Sequence, residues 1–394
     1  MTSLLIDRRR LLAGSLAGVG LAYAGRTAAQ GRGGRGKLVV IIARGAMDGL
    51  SVTVPYADPD YAALRGTLAI PAPGEVDGAL PLAEGFGLHP SLTGLKGLYD
   101  AGQMWFAPAA AIPARVRSHF DAQDVLENGG GGPIDLEDGW LNRALVAAGG
   151  EGRLKGLSIG SRTPLILRGA AGTSSWTPGG RVRGDERIAS VLQDLYIQDP
   201  LLQENLAMGL ETEAIAQASG GTTPLRRGDV GGVGEAVARL MTGETGADVV
   251  ALSVDGWDTH ARQKAQLQTR LTGLDGLIGG LREGLGGQWD DTVVIVATEF
   301  GRTARANGTH GTDHGTGSSM LLAGGALKPG GLIGDWPTLA EGQLFEGRDL
   351  RPTLDVRSVF KGVLRDHLGV DRTALDNRVF PGSAAEAPTM DGLV

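Results

Sequence analysis

The chain has 394 residues, a formal net charge of −7, no cysteine and 66 glycines, more than twice the average glycine share of about 7%. The absence of cysteine excludes disulfides, thiol nucleophiles and thiolate metal sites. The acidic balance argues against nucleic acid or an anionic membrane as the main partner. With 42% hydrophobic and 21% charged residues the chain can build a core, which argues against disorder.

Asp7-Arg8-Arg9-Arg10-Leu11-Leu12 precedes a small-residue apolar run to Ala24 and a Thr27-Ala28-Ala29 triplet. This is a charged region, a short apolar region and a small-residue cleavage site in the order of a signal peptide. The arginines resemble a twin-arginine export signal, so residues 1–29 are expected to engage the twin-arginine machinery. Cleavage is expected after Ala29, with a periplasmic or secreted destination. The apolar run is too short to cross about 30 Å of hydrocarbon, and no stable membrane span is expected after cleavage. Residues 30–36 are Gly/Arg-rich and read as a flexible linker. No second linker follows, so residues 37–394 are expected to form one domain.

Strands are predicted at Leu38–Ile42, Met104–Ala107, Leu165–Leu167, Asp248–Val254, Thr292–Ala297 and Ser319–Ala323. Short, continuous apolar runs of this kind suit strands buried on both faces. The segment 186–242 reads as two helices split by Gly220 and Gly221. Residues 261–286 carry Leu267, Leu271, Leu274, Ile278, Leu281 and Leu285 at helical spacing. Residues 354–368 repeat the pattern with Val356, Val359, Phe360 and Val363. The stretches 129–132 and 169–185 read as loops. Strands alternating with helices imply an α/β fold, a doubly wound, mostly parallel central sheet flanked by helices.

Open parallel sheets bind ligands at the carboxyl ends of their strands. There the sequence places Asp48, then Ser118-His119-Phe120-Asp121, Asp255-Gly256-Trp257-Asp258-Thr259-His260, Glu299 with Arg302, and His310-Gly311-Thr312-Asp313-His314. Four of the six histidines fall in these segments. Imidazole with carboxylate suits zinc or manganese; carboxylate alone suits magnesium or calcium. Each residue also has a plainer reading. Asp48 suits an Asx turn, Ser118 a helix N-cap and His260 a helix start. Arg302 suits an ion pair with Glu299, and His310 suits plain solvation. His89 reads as structural, and His367 as a cation near the C-terminus of the last helix.

RGAMDGL, LHPSL, the SHF segment, DGWDTH, TEFGRT, GTDHG and GDWPTL, in this order behind the leader, resemble the exported bacterial family DUF1501. The resemblance spans Lys37 to about Phe380. It implies the fold of the alkaline phosphatase and sulfatase superfamily and a two-metal site. On that comparison Asp48 resembles the first ligand, Asp255 with His260 the middle pair, and His314 the late histidine. Glu299 stands where a further aspartate is usual, and Ser118 is the candidate nucleophile. The pattern departs in two places. Four residues separate Asp255 from His260 where three are usual, with Asp258 as an alternative partner. Glu299-Phe300 replaces an Asp-His doublet, so one imidazole is missing, with Asp313 or His310 as substitutes. Without cysteine, a formylglycine cannot arise from that residue.

These readings lead to a metal-dependent hydrolase acting on a small anionic ester of phosphate or sulfate. Asp48, Asp255, His260, Glu299, Asp313 and His314 are its candidate metal ligands. Ser118 would attack, and Arg302 would clamp the substrate anion bidentately. The alternative is a non-catalytic binding or assembly protein that keeps the fold around a degenerate site.

Overall fold

The computed structural model describes residues 36–149, 155–160, 162–177, 206, 230–242 and 246–394. The expected signal peptide, residues 30–35 of the expected linker and, apart from residue 206, the part of the expected helical segment 186–242 that precedes residue 230 lie outside the described residues.

Eight strands form the main sheet: β1 Lys37–Arg44, β2 Met104–Ala111, β3 Gly156–Ile159, β4 Thr173–Trp176, β5 Val249–Asp255, β6 Thr292–Ala297, β7 Ser318–Ala323 and β8 Leu354–Asp355. Their order across the sheet is β8-β2-β7-β6-β1-β5-β3-β4. β1 pairs in parallel with β5 on one side and β6 on the other. β7 alone runs antiparallel to its neighbours β6 and β2. The sheet is therefore mostly parallel, with one strand inserted the other way.

Alternate side chains of a strand face opposite sides of a sheet, and β1 feeds two cores in this way. Leu38, Val40 and Ile42 pack with Leu126 of helix α2 (His119–Asn128), Trp140 of α3 (Trp140–Ala147) and Phe360 of α6 (Val356–Leu368). Val39 and Ile41 pack with Leu98 of α1 (Thr93–Asp100), Leu240 of α4 (Val230–Met241) and Leu274 of α5 (Gln263–Leu285). Helices thus cover both faces, the doubly wound α/β arrangement expected from the strand and helix pattern.

Two local expectations are corrected. Leu165–Leu167 forms a single 3-10 turn rather than a strand. The N–H of Ile166 is taken by Glu127 Oε2 at 3.0 Å, so the backbone is satisfied by a buried carboxylate instead of a neighbouring strand. The stretch 169–185 expected as a loop contains β4, whose polar sequence TSSW pairs with β3 at the sheet edge.

Glycine in α4 and α5 is explained by contact between the two helices. A Cβ on Gly234 would overlap the Leu277 carbonyl, and one on Gly280 the Gly231 carbonyl. Backbone therefore meets backbone where these helices cross. Among the described residues no helix is long and apolar enough to cross a membrane.

Candidate metal centre

The carboxyl ends of the parallel strands place the polar segments together. β5 ends at Asp255 and leads to Asp258 and His260; β6 ends at Ala297 and leads to Glu299 and Arg302. The chain leaving β2 reaches Ser118 and His119 at the start of α2. Because β7 is antiparallel, the residues before it, including His314, arrive at the same edge. Backbone pairing of Arg302 with His314, and of Thr312 N–H with the Thr259 carbonyl, locks three of these loops together. A Cβ on Gly311 would collide with the His260 backbone, and one on Gly315 with the Arg302 backbone.

His119, Asp258 and His314 each present a ligand atom within 4.8 Å of the others. The His314 Nε2 lies 3.1 Å from His119 Nε2 and 3.1 Å from His260 Nε2. Asp258 Oδ1 lies 2.9 Å from His260 Nε2 and 3.2 Å from His314 Nε2. The far side of each ring faces an acceptor. His119 Nδ1 is 2.8 Å from Glu299 Oε1, His314 Nδ1 is 2.9 Å from the Arg117 carbonyl, and His260 Nδ1 is 3.3 Å from Asp313 Oδ1. In His119 and His314 the closer acceptor on Nδ1 favours the hydrogen there and a lone pair on Nε2, whereas His260 has a carboxylate beside each ring nitrogen.

Lone pairs about 3 Å apart repel unless a proton or a metal cation lies among them. Two imidazoles and a carboxylate, His119, His314 and Asp258, form a donor set of the kind that holds a divalent metal, with His260 beside it on Asp258 and His314. The residues present therefore fit a divalent ion.

The electrostatics follow from the same contacts. The hydrogen bond to Glu299 raises the pKa of His119, against partial burial. Burial opposes ionisation of Glu299. Hydrogen bonds from His119, Gln123 and the Gly45 N–H nevertheless hold its pKa below the ordinary value. Burial also opposes ionisation of Asp258, but the hydrogen bond and charge of the Arg302 guanidinium hold its pKa down. Asp313 is held low chiefly by a hydrogen bond from Asn307, with His260 adding to it.

The expected site residues thus divide. His260 and His314 turn their Nε2 atoms toward each other. Glu299 and Asp313 stand behind His119 and His260 rather than at the convergence of nitrogens. Asp258, the alternative partner for His260, meets it, whereas Asp255 ends β5 exposed to solvent. Asp48 does not join the cluster. It is buried, and its Oδ2 accepts from Arg65, Ser51 and Gln263. Arg302 is not free to clamp an anion and does not pair with Glu299. It is buried, with Nε on Thr312 Oγ1 at 3.1 Å, Nη2 on the Thr312 carbonyl and Nη1 on Asp258 Oδ1 at 2.6 Å. His310 bonds Thr67 Oγ1 at 3.2 Å. Ser118 is half-buried at the N-cap of α2, with no side-chain cap bond.

His119 received no role from the sequence, although it stands beside Ser118 after a strand. It brings a further imidazole to the cluster, and its ring stacks on Phe300 at a centroid distance of 4.9 Å. Phe300 is buried against the His119 and His314 rings.

No curated protein matches the sequence. Among solved structures, the phosphonate monoester hydrolase of Agrobacterium radiobacter is 12% identical with a TM-score of 0.42, over 86% of this chain and 74% of that one. A protein in the alkaline phosphatase superfamily from Vibrio parahaemolyticus is 12% identical with a TM-score of 0.36, over 76% and 64%. The C-terminal periplasmic domain of EptC from Escherichia coli, in complex with zinc, is 9% identical with a TM-score of 0.37, over 89% and 88%. The family model described as "Protein of unknown function (DUF1501)" matches residues 103–379. The chain belongs to the DUF1501 family.

Proposed function

We propose that the protein is an exported metal-dependent hydrolase of phosphate or sulfate esters, with one divalent ion held by His119, Asp258, His260 and His314. The observation that carries this reading is the grouping of His119, Asp258 and His314 ligand atoms within 4.8 Å of one another, with His260 Nε2 3.1 Å from His314 Nε2 and 2.9 Å from Asp258. The substrate class rests on the resemblance of the ordered motifs to the alkaline phosphatase and sulfatase superfamily. Export rests on the leader sequence.

A divalent ion at these residues would supply Lewis acidity toward a phosphoryl or sulfuryl oxygen. The chain's own groups would do the rest. Ser118 has a hydroxyl not spent on capping, at the N-terminus of α2, where helix polarity favours negative charge. It is the nucleophile of this reading. Arg302 fixes Asp258 instead of touching substrate. Arg348, whose side chain is partly exposed, bonds the His314 carbonyl and pairs through Nε with Asp349 Oδ1 at 3.1 Å, which holds a cation beside the cluster, on the side open to a substrate anion. Phe300 and the stacked His119 ring limit the water around that side of the centre.

The test is metal analysis of the purified protein after chelation and reloading with zinc or manganese, followed by assay on aryl phosphate mono- and diesters and an aryl sulfate. About one ion per chain and turnover of one ester class are expected. Absence of a bound ion sinks the proposal. A tightly held ion without turnover on any ester turns the reading to a non-catalytic binding protein.

A further inference from the structure

A cavity of about 270 Å³ lies among the 68–77 loop, the His89–Ser91 turn and the first turns of α5. It shares no residue with the metal centre. His89 lines it and is 7% exposed. Its Nδ1 accepts the Ser91 N–H at 3.1 Å, which puts the ring hydrogen on Nε2. That Nε2–H has no protein hydrogen-bond partner among the described residues and is not one of their sealed, unsatisfied polar atoms, so it is left to water or a ligand in the cavity.

The rest of the wall indicates what would pair it. Lys264 brings an ammonium group to the exposed rim. The first turn of α5 adds the positive end of a 23-residue helix, although the Gln263 N–H itself is taken by the His310 carbonyl. Its N-cap, Arg262, makes no side-chain cap bond. The acid on this wall, Asp77, is open to solvent on its loop, where water and salt screen it. Leu68, Ile70 and Leu267 supply an aliphatic face.

We propose that this cavity is a second binding site, for a small aliphatic carboxylate. The carboxylate would accept from His89 Nε2–H and lie near Lys264, with the alkyl chain against Leu68, Ile70 and Leu267. The site stands independently of the proposed hydrolase activity.

The test is a titration of the full chain with 4-methylpentanoate, followed by long-range ¹H–¹⁵N histidine spectra. The His89 signal is identified by its loss in His89→Phe. Isoamyl alcohol and isoamylamine serve as the neutral and cationic counterparts. A saturable shift at His89 with a Kd on the order of millimolar is expected for a ligand of this size. Lys264→Gln, at an exposed position that folding tolerates, should weaken binding roughly two- to fivefold, the range of one exposed ion pair. Leu267→Trp should block it. No saturable shift overturns the proposal, as does equal binding of the alcohol or the amine, or unchanged affinity in Lys264→Gln. The same titration of the chelator-treated chain and of His314→Ala should give the same Kd. Failure of the metal reading would then leave this result intact.

Discussion

The Nδ1 of His119 and the Oε1 of Glu299 stand 2.8 Å apart, with the carboxylate fully buried. Glu299 also accepts from Gln123 Nε2 at 3.1 Å and the Gly45 N–H at 2.8 Å. The ring is thereby held in one orientation and one tautomer, with Nε2 facing His314. An oriented imidazole of this kind is a better ligand than a free one.

Glu299→Gln keeps the size of the side chain and removes its charge. Zinc affinity should fall roughly 10–100-fold, the usual loss when such a supporting carboxylate is replaced. The His119 pKa should fall as well, because the Glu299 hydrogen bond is the first cause of its elevation. Competition titration with a chromophoric chelator reads the first effect and histidine NMR the second. Unchanged zinc affinity would remove His119 from the ligand set.

Asp258 and Asp255 can be told apart directly. Asp258 lies 2.9 Å from His260 Nε2 and is held by Arg302 at 2.6 Å, whereas Asp255 is exposed at the end of β5. Asp258→Asn should abolish stoichiometric metal binding, and Asp255→Asn should retain it, as measured by plasma mass spectrometry after dialysis. The reverse pattern would restore Asp255 as the partner of His260 that the family resemblance implies.

The sheet was legible where strands are buried on both faces. β1 and β6 carry β-branched, uninterrupted apolar runs, and β5 carries one from Val249 to Leu252, because each has sheet neighbours on both sides and helices on both faces. β3 and β4 were not, because an edge pair with sequences GLSI and TSSW has no apolar signature. Leu165–Leu167 misled for the opposite reason: three apolar residues fill a core from a 3-10 turn as readily as from a strand. At the site, residue type was legible but partnership was not. Asp48 has the sequence surroundings of a ligand, and only the fold shows it spent on Arg65. His119 meets His314 across 195 positions of sequence, a distance that no local spacing rule reaches.

His89 gives a pH dependence of stability. Burial lowers its pKa from an ordinary value near 6.5 to about 4, with Lys264 adding to the effect and Asp48 opposing it. Between those values the unfolded chain binds the proton and the folded chain does not, so stability rises with pH. The contribution is complete above about pH 6.5 and is lost as pH falls toward 4, a loss of roughly 3 kcal/mol. Urea unfolding of the wild type and His89→Gln at several pH values checks this. The variant should show a shallower decline across that window, and parallel curves would show that His89 does not set it.

The helix crossing of α4 and α5 predicts opposite effects for two adjacent glycines. At Gly280 a Cβ would meet the Gly231 carbonyl, a backbone atom that cannot rotate away. Gly280→Ala should therefore force the helices apart and cost about 1–3 kcal/mol, the usual penalty of overpacking. At Gly279 nothing lies within 4 Å of the added carbon. There the alanine should simply relieve the entropic cost of glycine in a helix, stabilising the protein by up to about 1 kcal/mol. Urea unfolding of the two variants side by side separates packing from propensity, because both changes share the same helix and the same chemistry. If both alanines stabilise, the helices do not meet backbone to backbone, and the glycines of α5 need another cause.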